Sequence, residues 1–268
     1  MERILREIVA NKQEELKVEK VDQPIVDLLL KLTDHKYTHY SMRDALQSSP
    51  TGIIAEFKRA SPSCGWIKEG AKISDIIPAY QEAGAAACSI LTDNYYFGGS
   101  LDDIVEARKL CTMPILRKEF VVNEYQIYQA YLSGANAILL IASCLDKYKC
   151  IALGQLAQSM GLEVLLEVHN EGELDYLNDY VDILGVNNRN LNKMITDVQT
   201  SFRLAELMQQ RSKEMERPPV LISESGLKDA AIVKELRSAG FEGFLMGETF
   251  MRTEDPAATL GKLINQLV

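Results

Sequence analysis

Eight short apolar runs recur along the chain, each ending abruptly in polar residues: IIAEFK, CSILTD, PILRKEF, ILLIAS, VLLEVHN, ILGVNNRN, VLISES and GFLMGE. Runs this short and this rich in Ile, Leu and Val predict strands buried on both faces. Between them the spacing predicts helices at Ser74–Ala83, Ser100–Leu110, Asn123–Ser133, Lys147–Met160, Glu171–Leu177, Asp197–Glu214, Lys228–Ala239 and Pro256–Leu267. Ser74 with Asp75, Ser100 with Asp102 and Asn123 with Glu124 are the expected starts, because such residues satisfy or complement the free N–H groups of a first turn. A helix–glycine–strand unit echoes in YQEAGAAACSIL, AYLSGANAILLI, AQSMGLEVLLEV and LRSAGFEGFLMG, where glycine can take the left-handed conformation that closes a helix.

Eight alternations of strand and helix predict an α/β architecture, a (β/α)8 barrel, which typically needs about 250 residues. The whole chain, 1–268, is then one domain. An open doubly wound sheet is the rival, but it calls for a glycine-rich first turn and the turn FKRASPS is not one. Residues 1–45 precede the first run as an N-terminal helical extension. Ile4, Leu5, Ile8 and Val9, then Ile25, Val26, Leu28, Leu29 and Leu32, have helical spacing, with Asp22 and Pro24 placed to begin the second helix. Spacing alone leaves open whether these helices plug the bottom of the barrel or cover its rim.

A net charge of −9 argues against a general nucleic-acid or anionic-membrane surface, so an anionic ligand must meet a local basic cluster. No run approaches the roughly 20 apolar residues of a membrane span. The five cysteines are irregularly spaced, without C-x-x-C, and read as reduced thiols of a soluble, cytoplasmic protein. His35, His39 and His169 form no metal motif, so no metal is expected.

Core strands need no charge. Glu, Lys, Asn and Arg at the same end of run after run therefore suggest a shared polar rim, the C-terminal face where barrels gather their chemistry. Glu56 and Lys58 alternate onto one face of the first strand and point together into the mouth, rather than forming a solvated surface pair. Lys118 follows Pro114-Ile115-Leu116 with little room to be a surface lysine paired with Glu119. Facing one cavity, Lys58 and Lys118 repel, which favours the neutral amine and a better proton donor near neutral pH. Glu167 lies amid aliphatic residues, where a carboxylate needs a lysine partner or a task as base. His169, on the same face, is read as a hydrogen-bonded structural histidine ahead of a catalytic one. Asn187, Asn188, Arg189 and Asn190, with Ser223, Glu224 and Ser225, offer directional hydrogen bonds to a polyhydroxy or anionic ligand, though asparagine-rich turns are also ordinary turn chemistry. Gly226 and Gly247 fall in the two loops that commonly bind phosphate in barrels, which predicts a phosphorylated small-molecule substrate.

With these residues in view, the motifs ILREIVANK, EFKRASPS, LRKEF, LLEVHN, GVNNRNL, SESG and LMGE resemble, in order and nearly end to end, the indole-3-glycerol phosphate synthase family of tryptophan biosynthesis. The resemblance implies a carboxy-lyase without a cofactor, acting as a monomer or weak homo-oligomer. Its substrate, 1-(2-carboxyphenylamino)-1-deoxyribulose 5-phosphate, cyclises with loss of carbon dioxide and water. By resemblance Lys118 is the general acid on the ribulose carbonyl, and Glu167 the base, or in its protonated form the acid, of the dehydration. Lys58 holds the substrate carboxylate and is a second candidate proton donor, and Glu56 orients Lys58 and Lys118. Asn187, Arg189 and Glu224 match hydroxyl-contacting and charge-positioning residues, and Ser61, Ser225, Gly226 and Gly247 match the phosphate grip. Phe97 and Phe120 wall the aromatic pocket under the N-terminal extension. Two positions depart from the family pattern, which often has a basic residue at Cys64 and Asp at Glu119. The first bears on closure of a loop over the site and leaves a thiol there open to oxidation. The rival readings are a sugar-phosphate isomerase, a Schiff-base aldolase using Lys118, and a silent phosphate-binding barrel, which the lysine pair with Glu167 disfavours.

Overall fold

A strand with one face on a packed barrel interior and the other under amphipathic helices has no face left for water, and all eight apolar runs become strands of one closed, parallel barrel. The structure, a computed structural model, describes residues 3–190 and 195–268; Leu191, which ends the motif GVNNRNL, lies outside the described residues. The strands are β1 (Ile53–Phe57), β2 (Ala87–Leu91), β3 (Ile115–Lys118), β4 (Ala137–Ile141), β5 (Glu163–Val168), β6 (Ile183–Asn187), β7 (Val220–Glu224) and β8 (Gly243–Met246). They follow one another around the barrel in chain order, and β8 closes on β1 with Phe244 opposite Ile53.

The helices are α1 (Arg3–Asp22), α2 (Ile25–Leu32), α3 (Met42–Ser48), α4 (Ile73–Glu82), α5 (Asn94–Phe97), α6 (Leu101–Leu110), α7 (Glu124–Ser133), α8 (Lys147–Ser159), α9 (Gln199–Lys213), α10 (Ala230–Ser238), α11 (Glu248–Met251) and α12 (Pro256–Leu267). Capping chemistry sets several starts. Ser100 and Asn123 each form a reciprocal box, with Asp103 and Gln126 reaching back to the cap N–H. Ser74 does not cap α4: Lys72 stands at that position, and Ser74 Oγ meets Asp75 Oδ1 at 3.5 Å instead. The helix expected at Glu171–Leu177 is a 3-10 helix, Glu171–Tyr176, whose start Asn170 caps by accepting from the Glu173 N–H.

The extension serves both ends of the barrel. α1 crosses the C-terminal rim and sends Ile8 to the central cavity. α3 lies under the bottom with Met42 and Leu46 buried, its first turn held by Glu163 at the start of β5. That carboxylate accepts from Ser41 Oγ at 2.5 Å and from the N–H groups of Met42 and Arg43 at 2.7 and 2.9 Å. Among the described residues no helix is long and apolar enough to cross a membrane.

Candidate active site

Inward side chains of alternate strands share a layer in barrels of this kind, and the layer is ordinarily filled with branched apolar residues. At the rim, the odd-numbered strands β1, β3, β5 and β7 supply Glu56, Lys118, Glu167 and Glu224. Lys118 Nζ sits 2.9 Å from Glu167 Oε2 and 2.5 Å from Glu224 Oε2. Lys58, one residue past β1, is 2.8 Å from Glu56 Oε1, while Ser89 of β2 donates to Glu56 Oε2 at 3.4 Å. Two glycines make room for these acids. A Cβ on Gly185 would lie 2.6 Å from Glu224 Oε1, and one on Gly247 would lie 2.5 Å from Glu56 Oε1. The carboxylates therefore occupy space that any larger residue at these positions would take.

Burial alone would strip the Lys118 ammonium of its proton, but Glu167, Glu224 and Glu56 outweigh that effect and hold it protonated well above the usual lysine range. The expected neutral lysine is thus corrected. Repulsion from one cation, Lys58, is the smaller influence when acids from three other strands converge on the same ammonium. The two acids sharing Lys118 part company. Burial and Glu167 push Glu224 up to about 7 against the pull of Lys118, whereas Lys118 and His169 hold Glu167 below its ordinary value in spite of burial. His169 has Nδ1 3.1 Å from Glu173 Oε2 and Nε2 3.4 Å from Glu167 Oε1, between the two carboxylates.

A cavity of about 480 Å³ opens over this layer, and the thirteen residues to which the family resemblance gives a role all line it. Phe97, at the end of α5, and Phe120, just past β3, set their ring centroids 6.3 Å apart at 40°. Ser61, Ser225, Gly226 and Gly247 line the cavity as well. Ser225 and Gly226 both have positive φ, 67° and 77°, and form a left-handed turn at the cavity lining. Asn188 is not in the lining. It lies beneath that turn, donating to Ser223 Oγ and Ser225 O at 3.0 and 3.1 Å and accepting from Ser201 Oγ at 2.8 Å.

Sequence reasoning missed several neighbours. Arg189 reaches Ser63 Oγ at 2.8 Å and Glu248 Oε2 at 3.0 Å, and Arg252 pairs with Glu248 at 2.8 Å. Exposed Cys64 has Arg252 Nη2 at 3.0 Å from its sulfur, and hydrogen bonding from Ser63 lowers its pKa. Glu248 ends the eighth run, so its place at the rim was visible; its pairing with Arg189 was not. Glu119 is buried, turned away from Lys118 toward Thr92 and Lys12. Among the described residues, no three His, Cys, Asp or Glu side chains cluster as a metal site.

Comparison with known proteins adds a further line. The family model described as indole-3-glycerol phosphate synthase matches residues 5–263. A protein of that name from Bacteroides thetaiotaomicron is 50% identical over 267 residues, covering 100% of both chains. Another from Polaromonas naphthalenivorans is 36% identical over 270 residues, covering 99% of this chain and 100% of its own. Among solved structures, a mutant tryptophan synthase alpha-subunit from Pyrococcus furiosus superposes with a TM-score of 0.58 at 14% identity, covering 81% of this chain and 97% of that one. At that identity the likeness speaks for the barrel fold alone.

Proposed function

Because the chain belongs to the indole-3-glycerol phosphate synthase family, we propose that its rim layer closes the indole ring of 1-(2-carboxyphenylamino)-1-deoxyribulose 5-phosphate, releasing carbon dioxide and water. The observation that carries this reading is Lys118 held as an ammonium between Glu167 and Glu224, in a cavity that the Phe97–Phe120 wall and the left-handed Ser225–Gly226 turn also line. A flexible substrate with an anion at each end needs two anchors and an acid between them. Folding it so that the reacting carbons touch can supply about 7–11 kcal/mol of the barrier in favourable cases.

Phe97 and Phe120 flank the ring, Lys58 holds its carboxylate, Ser61, Ser225, Gly226 and Gly247 take the phosphate, and Arg189 meets the substrate hydroxyls. The ring carbon bearing the carboxylate attacks the ribulose carbonyl carbon, and the carbonyl oxygen takes a proton from Lys118. The bond to carbon dioxide then breaks, returning its electron pair to the ring. Lys58, released from the departed carboxylate, protonates the new hydroxyl, which leaves as water, and a proton from the adjacent methylene passes to Glu167 to complete the indole. The depressed pKa of Glu167 favours the base role over the acid role. Glu56 orients Lys58, and Asn187 and Glu224 steady the charges around Lys118. A Schiff-base aldolase needs a free amine, which an ammonium clasped by two carboxylates does not offer.

The monomer or weak homo-oligomer is carried over from the family resemblance, and five free thiols favour a reducing, cytoplasmic setting. Indole fluorescence appearing when protein and substrate are mixed is the expected result. No fluorescence with folded protein and authentic substrate rejects the reading.

A further inference from the structure

Outside the acid–base layer, a second ionic node lies buried where α1 meets the rim. Lys12 of α1 is only 5% exposed, and its Nζ lies 2.8 Å from Asp93 Oδ2, 3.3 Å from Glu119 Oε1 and 2.6 Å from Glu15 Oε2. The two rim acids each govern one aromatic residue. Asp93 is fully buried and accepts from the Tyr96 N–H at 2.7 Å as the cap of α5, the single turn that ends in Phe97. Glu119 accepts from the Phe120 N–H at 2.9 Å and from Thr92 Oγ1 at 2.8 Å. Ile8, one turn before Lys12 on α1, lines the same cavity as both rings. We propose that Lys12 is a positioning residue for the aromatic half of the substrate: its ammonium ties α1 to the caps of the Phe97 and Phe120 segments, so that docking of the extension and closure of the aromatic wall are one event.

Electrostatics make the coupling specific. Burial and Glu119 raise the pKa of Asp93 even with Lys12 in place. Without the ammonium, two buried carboxylates from different loops face each other, and like charges in a low-dielectric site push their segments apart. Arg117, 3.8 Å from Glu119, compensates only one of the two. The phosphate side, built on Ser225, Gly226 and Gly247, touches none of these groups through the node.

The test rests on the proposed function but is read separately from it. Lys12→Met keeps the buried stem and removes the charge, Lys12→Arg keeps the charge, and Lys17→Met alters an exposed lysine of the same helix as a control. Two probes are titrated: a reduced, non-cyclising analogue of the substrate that carries the ring, and glycerol 3-phosphate, which carries only the phosphate handle. Lys12→Met is expected to weaken the ring-bearing analogue by roughly ten-fold or more and to raise KM more than it lowers kcat. Glycerol 3-phosphate should stay within about two-fold, while Lys12→Arg and Lys17→Met stay near wild type for both probes. If Lys12→Met does not fold, the double variant with Asp93→Asn removes one charge of each sign and keeps a good cap. It should show a loss that is again selective for the ring-bearing analogue but smaller, because the tie to α1 is gone while the repulsion between the two carboxylates is relieved. Equal weakening of both probes, or none, overturns the proposal. A wild-type protein that neither binds the ring-bearing analogue nor forms indole overturns the functional reading, and the Lys12 role with it.

Discussion

Both ends of the barrel bury carboxylates, but in different company. At the bottom, Glu163 is met by a hydroxyl and two backbone N–H groups, and Asp182 by the Val164 N–H at 2.9 Å and by Arg217 at 2.8 Å. At the rim, Glu56, Glu167 and Glu224 face lysine ammonium groups, and Glu224 Oε1 has no hydrogen-bond partner among the described residues. Backbone donors neither leave nor lose a proton, so the bottom acids serve folding. Ammonium groups swing on flexible stems and exchange protons, so the rim acids can surrender their partners to a ligand. Burial is common to both ends; the nature of the partner separates a structural carboxylate from a chemical one.

The sharpest way to break that contrast is to remove a rim partner. Lys118→Ala is expected to lower turnover by about a thousand-fold or more, with the circular dichroism spectrum of the wild type, because the loss falls on the transition state. Near wild-type activity would exclude Lys118 as the acid. Glu167→Gln should slow dehydration by roughly a hundred-fold in rapid-quench experiments while leaving binding largely intact. If every step proceeds as before, the base lies elsewhere. The bottom should behave in the opposite way: Glu163→Ala strands the first turn of α3 and should lower stability by about 1–3 kcal/mol in urea unfolding, with kcat unchanged within about two-fold. A fall in kcat without a fall in stability would erase the distinction between the two ends.

The sequence made the eight strands legible because short β-rich runs carry their own signal, and the polar ends of those runs pointed to the rim residues. Short elements such as α5, α11 and the hairpin pairing Ala60–Ser61 with Gly65–Trp66 have too few residues to show a period. Pairing was the harder quantity. Glu224 and Lys118 are both visible in the sequence, but their 2.5 Å contact depends on barrel closure, and so the protonation of Lys118 is opposite to what the lysine pair alone predicts. Lys12 is an ordinary helix lysine in the sequence, and only the docking of α1 turns it toward Asp93.

The smallest expected effect is also the one that probes the unevenly shared lysine. In the folded chain Glu224 titrates near 7, and unfolded it returns to its ordinary value of 4.5. The folded state therefore holds this proton more tightly. Its contribution is fully present below about pH 4.5 and is lost as pH rises toward about 7. Glu167 acts in the opposite sense: with its folded pKa depressed, its contribution is present above its ordinary value and is lost only as pH falls below that window. Glutamine at position 224 cannot titrate. The stability of wild type minus that of Glu224→Gln should accordingly decline between these two pH values by on the order of 1–3 kcal/mol and stay level above about pH 8. Urea unfolding at closely spaced pH values measures the difference. A flat difference across the window would mean that Glu224 stays ionised and that Lys118 serves both acids alike.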